Sequence, residues 1–183
     1  MAKTAIFLAD GFEEIEALTV VDLLRRAGIE ITMASIMGRK SVTGSHNITV
    51  ESDALLEDVD FDGIDMIILP GGQPGTRNLG ACDKLKDQIS SFNQKGKMLA
   101  AICAAPTVYG KMGILDGKKA CCYPGCEVDL GSADVQTTEV TKDGNFITSR
   151  GMGTAIPFGL AIIEHFQGKE AADEMAAKIV YNK

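Results

Sequence analysis

The stretch MLAAICAAP sets Cys103 at the end of an apolar run, with Ala100, Ala101, Ala104 and Ala105 around it. A buried strand that passes directly into a helix must turn sharply, so the pattern predicts an elbow at Cys103 with its sulfur above the sheet edge. The small neighbours allow the crowded backbone. The helix N-terminus beneath supplies N–H donors and a positive dipole end, both of which favour thiolate over thiol. A free thiol of pKa ~8.5 is only slightly ionised at neutral pH, and lowering it by about 3 units takes roughly 4 kcal/mol. A helix terminus contributes up to ~2 kcal/mol, so a second group is required. The competing reading is a small buried hydrophobe, as most free cysteines are.

Glu16 is the candidate second group. A helix is expected over Glu13–Ala27, and at 100° per residue its apolar face comprises Ala17, Val20, Val21, Leu23, Leu24 and Ala27, with Asp22, Arg25 and Arg26 opposite. Glu16 projects with Val20 and Leu23. A carboxylate on a core-facing stripe must be protonated or paired, and a protonated one can donate a hydrogen bond to an anion. Glu13 falls on the same stripe nearer the helix start, and for Glu13 and Glu14 the helix dipole is explanation enough. A third segment, PGGQPG, ends a strand with Gly71 and Gly72, whose bare backbone lets an N–H approach an oxyanion; a plain turn is its alternative. It lacks the Gly-Lys-Ser/Thr ending of a phosphate loop.

These segments need a frame. Short β-branched runs alternate with helical ones: strands at Thr4–Ala9, Glu30–Ile36, Met66–Leu69 and Met98–Ile102, helices at Glu13–Ala27, Asp83–Lys95 and Ala104–Met112. A hairpin outside the main sheet is expected within Gly38–Ser52. Short strands follow near Lys119–Cys122, Val135–Thr141 and Phe146–Thr148, then helices near Thr154–Phe166 and Lys169–Ile179. Alternation of this kind implies an α/β fold with a mostly parallel sheet and helices on both faces. Ligand sites in such sheets lie beyond the carboxyl ends of strands, where Asp10–Glu16, Pro70–Gly75 and Cys103–Pro106 would meet.

The 183 residues, 45% hydrophobic and 23% charged, suit one domain spanning 1–183. Eighteen Lys and Arg against 25 Asp and Glu give a net charge of −7, which argues against nucleic acid as a partner. No apolar stretch approaches the ~20 residues of a membrane span, and the N-terminus has no leader pattern, so a cytoplasmic protein is expected. The five cysteines have no metal-finger spacing, and reduced thiols without a metal are expected.

DGFEEIEA, LPGG, AAICAAP and TSRGMGTA, in this order and spacing, closely resemble the DJ-1/ThiJ/PfpI superfamily, and its DJ-1 branch in particular. The resemblance covers essentially the whole chain. It implies a flavodoxin-like three-layer sandwich, a homodimer, Cys103 as nucleophile, Glu16 as its protonated carboxylic partner, and the backbone N–H groups of Gly72 and Ala104 as oxyanion donors. No cofactor is implied. His46 stands where the family's human member has arginine, and Tyr123 where it has histidine near the thiol. The protease and amidase relatives carry histidine directly after the nucleophile; here Ala104 follows Cys103, which removes that dyad.

The activity so implied is glyoxalase- or deglycase-type conversion of glyoxal, methylglyoxal or their adducts, with a small reactive carbonyl as substrate. The rival is a redox sensor or stress-protective protein in which Cys103 oxidises reversibly. Other candidates for the pocket are His46, reaching Cys103 of a second subunit, Tyr123, Gly71, and Arg150, which would hold a substrate carboxylate or phosphate; a solvated turn residue and an ion pair are the competing readings for His46 and Arg150. Of Cys121 and Cys122 only one can face the pocket, so Cys122 or Cys126 is a candidate resolving thiol against the alternative of plain buried thiols. His165 is expected at the surface. Ile15 and Leu18 lie off the core stripe, as a subunit contact would require.

Overall fold

The computed structural model describes residues 2–181. Its strands and helices run β1 (Lys3–Leu8), α1 (Glu14–Arg26), β2 (Glu30–Ser35), β3 (Ser41–Thr43), β4 (Thr49–Glu51), β5 (Ala54–Leu55), β6 (Met66–Leu69), α2 (Gly75–Ala81), α3 (Asp83–Gln94), β7 (Met98–Ile102), α4 (Pro106–Lys111), β8 (Lys119–Ala120), β9 (Asp134–Val135), β10 (Val140–Asp143), β11 (Phe146–Ser149), α5 (Ala155–Gln167) and α6 (Lys169–Lys178). Seven strands form the main sheet in the order β10-β11-β7-β6-β1-β2-β5, parallel throughout except for the antiparallel β10–β11 pair.

The period-two alternation of strand side chains sorts the core into two layers. Ile6, Leu8, Met66, Ile68, Ala100 and Ile102 face α1, α5 and α6 through Val20, Leu24, Phe158, Ile162 and Met175. Ala5, Phe7, Ile67, Leu69, Leu99 and Ala101 face α2, α3 and α4 through Leu79, Leu85, Ile89, Phe92, Val108 and Tyr109. Strands buried on both faces read as unbroken apolar runs, which is why MIIL and MLAAI carry no alternation in sequence. The expected flavodoxin-like sandwich is present, and β3 and β4 form the expected hairpin apart from the main sheet.

Several expected boundaries shift. The helix after β7 begins at Pro106 rather than Ala104, because Cys103–Ala105 is occupied by the turn and proline suits the first helical position. Helix α2 was not expected; it is seven residues long with glycine at Gly75 and Gly80, too short and too poor in helix formers to show a stripe. The strand at Lys119 ends at Ala120 rather than Cys122, and the expected run Val135–Thr141 is split between β9 and β10. No helix among the described residues is long and apolar enough to cross a membrane.

Candidate active site

Adjacency of β1, β6 and β7 brings the three chemical segments to one sheet edge. Cys103 has φ 65°, a left-handed conformation that costs a side-chain-bearing residue about 1–2 kcal/mol. Its backbone is pinned on both sides: the N–H donates to the Ser149 carbonyl at 3.0 Å, and the carbonyl accepts from the Tyr123 N–H at 2.7 Å. Below it, the Tyr109 hydroxyl donates to the Ala100 carbonyl at 3.0 Å, tying α4 to β7. The elbow read from the sequence is thus present, with the sulfur only half-buried.

Glu16, 1% exposed, reaches this sulfur from α1. The Gly71 N–H donates to its Oε2 at 2.9 Å. A Cβ built on Gly71 would lie 2.5 Å from Glu16 Oε2 and 2.6 Å from Cys103 Cβ, so only glycine fits between acid and thiol. Gly72, at φ 91°, meets the start of α1 closely enough that a Cβ there would lie 2.3 Å from the Glu13 nitrogen. Its amide and that of Ala104 lie on the sulfur side of the elbow and pull the thiol's pKa down. The close approach of Gly11, Gly72 and Gly75, sealed by the Gly75 N–H on the Gly11 carbonyl at 3.1 Å, fixes the distance between α1 and the elbow.

Burial pushes the Glu16 carboxyl up to about 7 against the pull of the Cys103 hydrogen bond and the Gly71 amide, with the charge of Glu13 adding to the rise. Burial likewise pushes the Cys103 thiol up to about 12; the Glu16 charge adds to this, and the Ala104 and Gly72 amides oppose it. This corrects the expectation of an intrinsically acidic thiol. Two acids share one desolvated corner, and the charge of either keeps the proton on the other. The pair is a proton-sharing unit in which Glu16 is the group poised near neutrality.

Glu14 also departs from expectation. It is 4% exposed, so the helix dipole is not explanation enough. Its Oε1 accepts from the His46 N–H at 2.8 Å and the Ile48 N–H at 3.4 Å, and its Oε2 meets His46 Nδ1 at 3.0 Å. Burial raises its carboxyl, but these hydrogen bonds outweigh burial and leave it below the ordinary value. The carboxylate therefore clamps the β3–β4 hairpin onto α1, and Ser45 Oγ joins the clamp by donating to Glu13 at 3.2 Å. Gly44 is required there, since a Cβ would fall 2.3 Å from Glu14 Cδ. His46 is exposed, and its ring is held above its ordinary pKa by Glu14 and by the charge of Glu13. Within this chain its Nδ1 faces Glu14, not Cys103. The donor atoms of Glu13, Glu14 and His46 gather within 4.8 Å, a set compatible with a divalent cation but already engaged in these hydrogen bonds.

The remaining candidates divide. Tyr123 supports the elbow through its backbone while its ring, 52% exposed, lies against Gly151. Arg150 donates to the Thr137 carbonyl at 3.4 Å. Cys121 is buried against Thr148 Oγ1 at 3.6 Å. Cys122 is buried on the α2–α4 side, and burial with the charge of Glu127 pushes it up to about 12, which disfavours the thiolate a resolving role needs. Cys126 is half-buried and also raised, by burial and then by Glu127 and Asp129. His165 is exposed, as expected. The sequence reading missed the Ser149–Thr154 contact, a 2.7 Å hydroxyl pair that braces the residue accepting the Cys103 N–H. The segment TSRGMGTA, which spans both residues, was its only signal.

Comparison with known proteins agrees with this fold. The model of the DJ-1/PfpI family matches residues 2–165. The chain is 41% identical over 179 residues to Protein dj-1beta of Drosophila melanogaster, covering 96% of each. It is 33% identical over 150 residues to a deglycase of Pyrococcus abyssi, covering 81% of this chain and 89% of that one. Among solved structures, that of oxidized DJ-1 from Toxoplasma gondii superposes with a TM-score of 0.96 at 34% identity, covering 100% of both chains. Fold and full-length similarity agree: this chain belongs to the DJ-1/PfpI family.

Proposed function

We propose that the protein is a cysteine-dependent enzyme, working without a cofactor, that converts glyoxal, methylglyoxal or their adducts in the glyoxalase or deglycase manner. The observation that carries this reading is the Cys103–Glu16 pair, with two amides directed at its sulfur. As sulfur bonds to the aldehyde carbon, the thiol proton passes to Glu16, a base whose pKa of about 7 suits neutral pH. The Gly72 and Ala104 amides would then stabilise the oxyanion, and Glu16 would return the proton to give a hemithioacetal. From methylglyoxal, moving one hydrogen from the former aldehyde carbon to the neighbouring carbon gives an enzyme-bound lactyl thioester. Water cleaves it to lactate and free thiol. The net change is addition of one water, with no external oxidant or reductant. The likeness to the Pyrococcus abyssi deglycase supports this class.

The second reading is a redox sensor or protective protein. It is favoured by the half-exposed sulfur and by the likeness to a DJ-1 solved in oxidized form. Hydrogen peroxide would transfer one oxygen to the Cys103 thiolate and, with one proton taken from solvent, leave a sulfenic acid and water; a protonated Glu16 would hydrogen-bond the product. A protease or amidase is the weakest reading, since no histidine is bonded to Cys103 among the described residues. The homodimer proposal rests on Ile15, 49% exposed on α1; Leu18, expected beside it off the core stripe, packs partly buried against the core instead. Production of lactate from methylglyoxal, assayed with Cys103→Ser, decides for or against the first reading.

A further inference from the structure

Glu13 is the N-cap of α1 and Glu16 its third helical residue. In a capping box the carboxylate at that third position turns back onto the N-cap N–H. Here the Gly71 carbonyl takes the Glu13 N–H at 2.9 Å instead, and the Gly71 N–H donates to Glu16 Oε2 at 2.9 Å. Gly71 thereby replaces the box on both sides, which leaves Glu16 turned to Cys103 and the Glu13 side chain without a capping bond. Residues three apart on a helix are neighbours on one face, so two carboxyl groups stand side by side at the rim of the site. A like charge so placed opposes ionisation of the more buried partner, and the Glu13 charge acts on Glu16 in this direction.

The Glu13 side chain, 15% exposed, is in turn held by the hairpin. Its Oε2 accepts from Ser45 Oγ at 3.2 Å and lies 3.6 Å from His46 Nδ1. Glu14 meets the same nitrogen at 3.0 Å and stations the ring there. His46 is exposed and exchanges protons with solvent, whereas Glu16 is buried. The charged groups around these contacts are few. Glu16 faces Glu13 from the start of its own helix, Cys103 from the elbow and the Gly71 amide from the end of β6; His46 faces Glu13 and Glu14 from α1.

We propose that Glu13 is a positioning residue for the chemistry at Cys103: its charge holds the proton on Glu16, and the hairpin's His46, when charged, weakens that hold. An exposed histidine thereby passes the pH of the solvent to a carboxyl group sealed from it. Neutralising Glu13 removes the repulsion, so Glu16 ionises at lower pH; removing His46 leaves Glu13 unopposed, so Glu16 ionises at higher pH. A purely structural role for the two residues would not move Glu16 in opposite directions.

As this role rests on Glu16 being the proton acceptor of the proposed reaction, its ionisation is read apart from turnover. Carbon-13 NMR of protein labelled at the glutamate Cδ follows Glu16, identified by the signal that Glu16→Gln removes. From a wild-type midpoint of about 7, Glu13→Gln lowers the midpoint by about half a unit or more, His46→Ala raises it by a smaller step, and Glu13→Asp, which keeps the charge, stays close to wild type. The acidic limb of kcat/KM for methylglyoxal shifts with the midpoint in each variant. A midpoint that Glu13→Gln leaves in place, midpoints that both variants move the same way, or a limb that stays fixed while the midpoints move, each overturns the proposal. Midpoints that move as stated in a protein that makes no lactate uphold the hold of Glu13 on Glu16 and refute the carbonyl reading instead.

Discussion

The Gly71 N–H holds Glu16 Oε2 at 2.9 Å, so the acid that serves Cys103 is fixed from the end of β6 rather than from its own helix. Three consecutive neighbours in space, a strand end, a helix side chain and an elbow, thereby share one rigid corner.

Replacing Gly71 by alanine therefore forces these groups apart. The added Cβ would lie 2.5 Å from Glu16 Oε2, and overpacking of this kind costs about 1–3 kcal/mol. Gly71→Ala is expected to lower the denaturant midpoint by a corresponding amount and to reduce lactate formation at least about tenfold. Wild-type turnover in a folded Gly71→Ala protein would show that the spacing does not matter.

Loss of either partner should abolish the reaction. Cys103→Ser and Glu16→Gln are each expected to lower lactate formation from methylglyoxal by about a hundredfold or more, as removal of a nucleophile or its proton acceptor does. Retained turnover in Glu16→Gln sinks the assigned proton route.

Ionisation of Glu16 should shape the pH profile. As the base is its ionised form and its pKa is about 7, kcat/KM is expected to rise through that pH to a plateau. The same raised pKa makes the folded state bind more protons than the unfolded chain between about 4.5 and about 7, so Glu16 costs stability as pH rises through this window. Glu16→Gln is then expected to stabilise the protein by about 3 kcal/mol at alkaline pH and by much less near the lower end of the window. Thermal melts across the window check the sign; a stabilisation that grows toward acid pH contradicts it.

Glu14 should matter to architecture rather than chemistry. Glu14→Ala strips the His46 and Ile48 N–H groups of their acceptor and is expected to destabilise by about 1–3 kcal/mol. Hydrogen exchange should accelerate in the β3–β4 hairpin first. His46→Ala, at an exposed position, is expected to leave lactate formation nearly unchanged; a large loss would restore the role for His46 at a second subunit's site.

Peroxide should find Cys103 before the other thiols. Cys121 and Cys122 are buried, and of the three half-exposed thiols, Cys82, Cys103 and Cys126, Cys103 is the one with the Glu16 carboxyl beside it. Peptide mass spectrometry is expected to locate the first added oxygens on Cys103, and equal labelling of Cys122 would remove support from the sensing reading.

Much of this site was legible in the chain because its signals are local. Glu16 betrays itself by its phase on an apolar stripe, and Cys103 by a strand that meets a helix with no polar linker. Glu14 was not legible, because helical phase says nothing about a hairpin folding back with free N–H groups to bind it. Helix α2 was hidden by its length and its glycines. The proton state of Cys103 depends on burial and on a carboxylate distant in sequence, which outweigh the lowering by the Ala104 and Gly72 amides that the local argument foresees.

The left-handed backbone at Cys103 has one more implication. A chain shaped for durability alone would place glycine at this position, where the same torsion is free of penalty. Cys103→Gly is thus a natural route to a sturdier but inert protein, and the thiol stands where backbone preference would not put it.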